Sequence, residues 1–144
     1  MISLHFEILD DRYTLHRFSP DAAIPSSLFQ SPFFSVTRTD EELSILSPET
    51  LKLSSQRSET GWAGLKIRGP LDFSLVGILS EVSEILARAE IPIFTLSTYD
   101  TDYIFVPFEQ LRAARRALEN AGGIFDKNQP SSLSPENSSL PDTL

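Results

Sequence analysis

The chain contains no cysteine among its 144 residues. Disulfides, thiolate nucleophiles and thiolate metal sites are excluded together, and a cytoplasmic address fits. Basic residues are scarce as well. Twelve Lys and Arg stand against 20 Asp and Glu, giving a formal net charge of −8 and a pI near 4.7. A surface of that sign does not attract nucleic acid or an anionic membrane, both of which need basic patches. No run approaches the ~18 consecutive apolar residues of a membrane helix. The opening Met1-Ile2-Ser3-Leu4-His5-Phe6-Glu7 lacks a basic region, and Glu7 interrupts its apolar run, so no signal peptide is expected. Gly-x-Ser-x-Gly, a phosphate loop and a nucleophile–base pair are all missing. The reading is therefore not an enzyme, with no cofactor and no metal.

What is present is ordinary for a soluble globular protein: 40% hydrophobic and 22% charged residues. The length suits one domain, or two small units sharing a core. The first segment reads as a hairpin turning at Asp10-Asp11. That register collects Leu4, Phe6, Ile8, Tyr13 and Leu15 on one side and sets His5 opposite His16 on the other. Two histidines with Glu7 on a wet face are too few for a metal site. Residues 19–25 are a loop by their Pro and Asp content, and Ser26 or Ser27 can cap a short helical turn toward Gln30. Strands follow at 33–38 and 43–46, then a polar connector over 47–60.

Trp62 reads as core or interface, and 63–68 as a strand stopped by Gly69-Pro70. Asp72 can cap a helix running to Ala89, because Leu75, Ile78, Leu79, Val82, Ile85, Leu86 and Ala89 repeat at helical spacing. Gly77 then falls inside that helix, where it permits close approach of a ligand or a second helix. Strands at 93–97 and 103–106 precede a second helix over 109–121, opened by Pro107 and closed by Gly122-Gly123. Leu111, Ala114 and Leu118 face inward; Arg112, Arg115 and Arg116 form a solvated face. A last strand at Ile124-Phe125 completes β-α-β-β-α-β, the ferredoxin-like α+β order. Residues 127–144, rich in Pro and Ser, read as a disordered tail.

The segment from Phe34 to Leu46 lies over that from Phe94 to Val106 at a constant offset of 60, pairing Val36 with Leu96, Asp40 with Asp100 and Leu46 with Val106. Two related units are implied, the first degenerate: 1–60 with its connector, and 61–126 as the full unit. In this alignment Arg38 and Thr39 stand where the second unit has Thr98 and Tyr99, so the first unit reads as mainly structural.

Two motifs occur together: Gly69-Pro70-Leu71-Asp72-Phe73-Ser74-Leu75-Val76-Gly77-Ile78-Leu79, and Ile91-Pro92-Ile93-Phe94-Thr95-Leu96-Ser97-Thr98-Tyr99-Asp100-Thr101-Asp102 continuing through Tyr103-Ile104-Phe105-Val106. With Phe33-Phe34-Ser35-Val36-Thr37-Arg38-Thr39, the chain resembles the ACT-domain amino-acid-binding family, in the branch of the animal cytosolic arginine sensors. The resemblance implies a small tandem-ACT regulatory or sensor protein, a homodimer that holds a free amino acid between ACT units and acts on a regulated protein partner. Carried over by position, it implies ligand contacts from Leu71, Asp72, Gly77, Ile78, Leu79, Pro92, Ile93, Thr98, Tyr99, Thr101 and Asp102. A helix N-terminus suits the ligand carboxylate, and Asp72 or Asp102 its ammonium. Asp72 also serves as a plain N-cap, and Asp102 as a solvated turn residue. The alternative function is a ligand-free protein–protein interaction or dimerisation module.

Overall fold

The computed structural model describes residues 1–68 and 76–126. The disordered tail expected at 127–144 lies outside them. The chain forms β1 (His5–Phe18), a 3-10 turn (Ser26–Gln30), β2 (Ser35–Arg38), β3 (Leu43–Pro48), β4 (Arg57–Ile67), α1 (Ile78–Arg88), β5 (Phe94–Ser97), β6 (Asp102–Pro107), a 3-10 turn (Phe108–Gln110), α2 (Leu111–Asn120) and β7 (Ile124–Phe125). It is an α+β protein with a ferredoxin-like order of elements from β4 to β7. The strands run β2-β3-β1-β4-β6-β5 across one sheet, antiparallel throughout, and β7 pairs in parallel with β1.

No hairpin forms at Asp10-Asp11. β1 is one continuous strand, and β4 is its antiparallel neighbour almost end to end. Between Ile8↔Leu65 and Arg12↔Ala63, β1 advances four residues while β4 advances two, so the aspartates sit in a bulge. Asp-Asp lacks the glycine that a two-residue turn with positive φ favours. Because two residues are inserted, the side-chain alternation stays in phase. Phe6, Ile8, His16 and Phe18 take one face, Leu9, Tyr13 and Leu15 the other. A strand apolar on both faces belongs in the middle of a sheet covered on both sides. His5 and His16 accordingly lie near opposite ends of one strand rather than facing each other.

The expected connector over 47–60 is also shorter. β3 runs on to Pro48 and β4 begins at Arg57, where four exposed residues, Arg57 to Thr60, hide the strand from any apolar pattern. The two ends of β1 have different outer neighbours. His5 and Phe6 pair with Ile124 and Phe125, whereas Tyr13 to Phe18 pair with Pro48 to Leu43. β1 thus occupies the place beside β4 that the last strand of a simple βαββαβ unit would take.

α1 and α2 cover one face. Val82 and Leu86 from α1, and Leu111, Ala114 and Leu118 from α2, pack on Phe6, Ile8, Leu65, Ile67, Ile104 and Val106. On the same side a smaller cluster of Phe18, Leu28, Leu43 and Ile45 lies beneath the first 3-10 turn. Arg112 and Arg116 are exposed, but Arg115 departs from the expected solvated face. Its guanidinium lies 5.0 Å from the Phe125 ring centroid and bonds Glu119 at 2.6 Å, a stem-on-ring packing that long cationic side chains allow.

The opposite face is aromatic. Tyr13, Phe33, Trp62, Phe94, Tyr103 and Phe105 gather there with Leu9, Leu15, Leu46 and Leu96. Phe33, which leads into β2, reaches across to Tyr103 and Phe105 with ring centroids 4.8 and 6.1 Å apart. The sheet therefore curls, bringing its edges β2 and β5 toward each other. Tyr13 and Trp62 pair at the middle of the curl. Burial, with the Asp11 and Asp10 carboxylates and Tyr103 beside it, pushes the Tyr13 phenol up to about 12.

The two hairpins have one register. Ser35↔Leu46 to Arg38↔Leu43 in β2–β3 correspond to Phe94↔Phe105 to Ser97↔Asp102 in β5–β6, an offset of 59 rather than 60. The turns agree. Thr39 N–H bonds the Glu42 carbonyl at 2.9 Å, and Thr98 N–H the Thr101 carbonyl at 2.8 Å. Each threonine hydroxyl also accepts from the backbone N–H three residues on, at 3.1 and 3.3 Å. Thr39, not Arg38, therefore occupies the place of Thr98.

Candidate functional site

Leu71 and Asp72, the first two residues singled out from the sequence, lie outside the described residues. The helix they precede begins later than its apolar spacing suggests. Its N-cap is Gly77, in the left-handed region at φ 82°, and α1 proper starts at Ile78. Gly77 is a boundary residue with a positive φ, and a Cβ built on it meets nothing within 4 Å among the described residues, so close packing against them does not explain it. Among the described residues no side chain caps α1, so none of them gives its first-turn N–H groups a side-chain acceptor. Ile78 and Leu79 turn partly into the core.

Thr98, Tyr99, Thr101 and Asp102 form or flank the β5–β6 turn. Thr101 is buried, and its hydroxyl donates to the carbonyl of Ile67 at 2.5 Å. That bond ties the turn to the end of β4, the end from which the chain proceeds toward α1. Asp102 is half-buried and accepts from the Ser97 hydroxyl at 2.5 Å. Tyr99 is 84% exposed at the tip. Pro92 and Ile93 lie on the other side of β5. Five residue steps of extended chain lead from Ile93 to Thr98, about 16 Å, so the structure joins the turn to the end of β4 but leaves Pro92-Ile93 at the opposite end of β5.

A residue that sequence reading passed over also lies here. Arg68, directly after β4, holds its guanidinium 3.2 Å from Asp126, with both side chains about half exposed. The signal was a basic residue ending a strand just ahead of Gly69-Pro70. Together the end carries the Arg68 guanidinium, the Asp102 and Asp126 carboxylates and the Thr98 and Thr101 hydroxyls.

A separate cavity of about 150 Å³ lies where the sheet edges approach, lined by Leu15, Ser35, Thr37, Ser44, Leu46, Phe94, Thr95 and Leu96. None of these was a sequence candidate, because curling of the sheet joins segments some fifty residues apart. Among the described residues no helix is long and apolar enough to cross a membrane.

A family match gives the fold its class, the small-molecule-binding regulatory domains. A family model described as the ACT domain matches residues 57–120, and a second, described as an N-terminal domain, matches 11–50. A protein from Agrobacterium tumefaciens is 33% identical, with alignment covering 88% of this chain and 94% of that one at a TM-score of 0.78. A Vibrio cholerae protein of unknown function is similar in fold at 20% identity, covering 82% and 89%, TM-score 0.64. The regulatory subunit of aspartate kinase from Thermus flavus shares the fold at 13% identity, covering 81% and 95%, TM-score 0.60. Over residues 57–120 the chain matches the ACT-domain family.

Proposed function

We propose that this protein is an amino-acid-binding sensor built from two ACT-like units, residues 1–60 and 61–126, and working as a cytoplasmic homodimer. The observation that supports the reading is the Thr101–Ile67 bond, which ties the β5–β6 turn to the end of β4 from which the chain leads toward α1. A free amino acid placed there meets α1 N–H groups and Arg68 through its carboxylate, and Asp102 through its ammonium. Leu71, Asp72, Gly77, Ile78 and Leu79 form the helix side of the pocket. Pro92 and Ile93, at the other end of β5, contribute through a second copy of the chain. Ligand bridging two units shifts their packing, and a regulated protein partner reads the change.

Thermal denaturation in the presence of each of the twenty amino acids at millimolar concentration tests this. One or a few raise the melting temperature in a dose-dependent way, as linkage requires for a ligand of the folded state. Asp102→Ala removes that response and leaves the sedimentation behaviour of the dimer unchanged. A flat response to all twenty sinks the sensor reading. Weight then passes to a ligand-free interaction module.

A further inference from the structure

The cavity between the sheet edges is a site of different chemistry. One side comes from β1, β2 and β3 through Leu15, Ser35, Thr37, Ser44 and Leu46, the other from β5 through Phe94, Thr95 and Leu96. Four of these side chains are apolar, four carry hydroxyls, and none of the described lining residues is charged. The Phe94 wall is stiff. Its ring stacks on Phe105 at 4.8 Å and 9°, and the Trp62 ring meets it edge-on at 4.7 Å.

The backbone adds polar groups. The turn pairs Thr39 with Glu42 and Thr98 with Thr101. By the alternation of an antiparallel ladder, Thr37 and Ser35, and Leu96 and Phe94, exchange bonds with β3 and β6. The N–H and C=O groups of Val36 and Arg38, and of Thr95 and Ser97, therefore point out of the two facing edges. A volume of about 150 Å³ is too small for an inserted strand, and a cavity of that size holds a benzene-sized molecule. Burying an ionised group with no counter-charge is costly, so a net charge is selected against.

We propose that this cavity is a second ligand site, distinct from the amino-acid site at the β5–β6 turn. It takes a compact uncharged molecule of about seven to nine heavy atoms, with an apolar or aromatic body and one hydroxyl or amide group. The body lies between Phe94 and Leu96 on one wall and Leu15 and Leu46 on the other. Its polar group meets the hydroxyls of Ser35, Thr37 and Ser44 and the open edge of β2 or β5. Such a ligand bridges the segment matched at 11–50 to the segment matched at 57–120 and fastens the curl of the sheet.

The full chain, labelled at leucine and isoleucine methyls, is titrated with phenol, benzamide and benzoate. Phenol and benzamide shift the methyls of Leu15, Leu46 and Leu96 saturably, and benzoate binds at least about tenfold more weakly, the difference a buried unpaired charge imposes. Ser44→Leu fills the space and abolishes these shifts. Thr37→Leu, on an exposed edge strand, does the same if Ser44→Leu fails to fold. The idea is overturned if no neutral probe moves those three methyls, if benzoate binds as well as benzamide, or if the filled variants respond like the parent. Methyls of Ile78, Leu79 and Ile93 report the amino-acid site in the same spectra, so either site can fail alone.

Discussion

The β2–β3 and β5–β6 hairpins share a register and a threonine-closed turn, yet the molecule holds them by different means. In the first, Glu42 reaches Arg17 at 3.9 Å with both side chains close to half exposed, and Arg38 bonds the carbonyls of Pro20 and Ala22. The cluster of Phe18, Leu28, Leu43 and Ile45 under a 3-10 turn backs one face, and Leu46 joins the aromatic cluster on the other. In the second, Thr101, at the position of Glu42, buries its hydroxyl on the Ile67 carbonyl, and two helices supply a core several times larger. Local hydrogen bonds set the shape of a hairpin, and tertiary burial sets how much free energy its disruption costs.

Register-equivalent core substitutions give the largest contrast. Phe105 and Leu46 hold the same position in the two hairpins. Phe105 is fully buried, stacked on Phe94 and edge-on to Tyr13. Phe105→Ala is expected to cost about 3–5 kcal/mol. Leu46 already borders the cavity, so part of its side chain has no partner to lose. Leu46→Ala then costs about 2–3 kcal/mol, the low part of the usual range. Urea unfolding measures both, and equal losses would contradict the asymmetry.

Titration probes the seam between the halves and the first half itself. Tyr13, paired with Trp62 at the middle of the curl, is pushed up to about 12 chiefly by burial. The unfolded chain ionises this phenol near pH 10 while the native state keeps its proton, so stability falls as pH rises from 10 toward 12, by up to about 2 kcal/mol. Tyr13→Phe flattens that limb. His16 is held below its ordinary value by burial, with Nδ1 2.8 Å from Ser55 Oγ and Nε2 unpartnered among the described residues. The unfolded chain then takes a proton that the native state refuses, so stability drops as pH falls below about 6.5. His16→Gln reduces the slope there. Unchanged slopes in the two variants would show that neither group is held as described.

Much of this architecture is legible in the residues. The apolar stripe through Val82, Leu86, Leu111, Ala114 and Leu118 fixes both helices and their inner faces, and the two acidic turns mark both hairpins. What escapes is set by distant partners. β1 reads as a hairpin because alternation says which residues share a face but not which strand lies alongside. The start of β4 has no apolar period, since Arg57 to Thr60 are exposed. The repeat slips by one residue because similar side chains recur on adjacent positions, and only the pairing decides. At the candidate site the turn residues come from their motif, whereas the Thr101–Ile67 bond joins residues 34 apart, and Gly77 looks helical until its φ is known.

The anchoring difference can be isolated at one pair of positions. Thr101→Val keeps the shape and removes the donor to the Ile67 carbonyl, which is expected to cost about 1–2 kcal/mol. Amide exchange at Thr98 to Asp102 then quickens beyond the global loss. Glu42→Ala removes only a long surface ion pair and is expected to cost less than about 0.5 kcal/mol. If the two variants lose the same stability, burial of the turn is not what separates the hairpins.

Two glycines with positive φ give the smallest effect and the most direct reading of the α1 entry. Gly61, in β4, has φ 77°, and Gly77 has φ 82°; a Cβ at either meets nothing within 4 Å. Replacement by Ala is therefore limited to the cost of a left-handed backbone, about 1 kcal/mol in each case. D-alanine, which favours positive φ, should be neutral at both. Thermal melts of the four variants check this. An excess loss for Gly77→Ala alone would mean that the start of α1 is more constrained than its open surroundings indicate. The proposed amino-acid binding separates the positions further. Gly61 lies within β4, away from the β5–β6 turn, and its variant should keep the ligand response. At Gly77 the added methyl occupies space that a carboxylate on the α1 N–H groups would need, so the response should weaken beyond the stability change. An undiminished response in Gly77→Ala would move the ligand carboxylate off the helix start and onto Arg68.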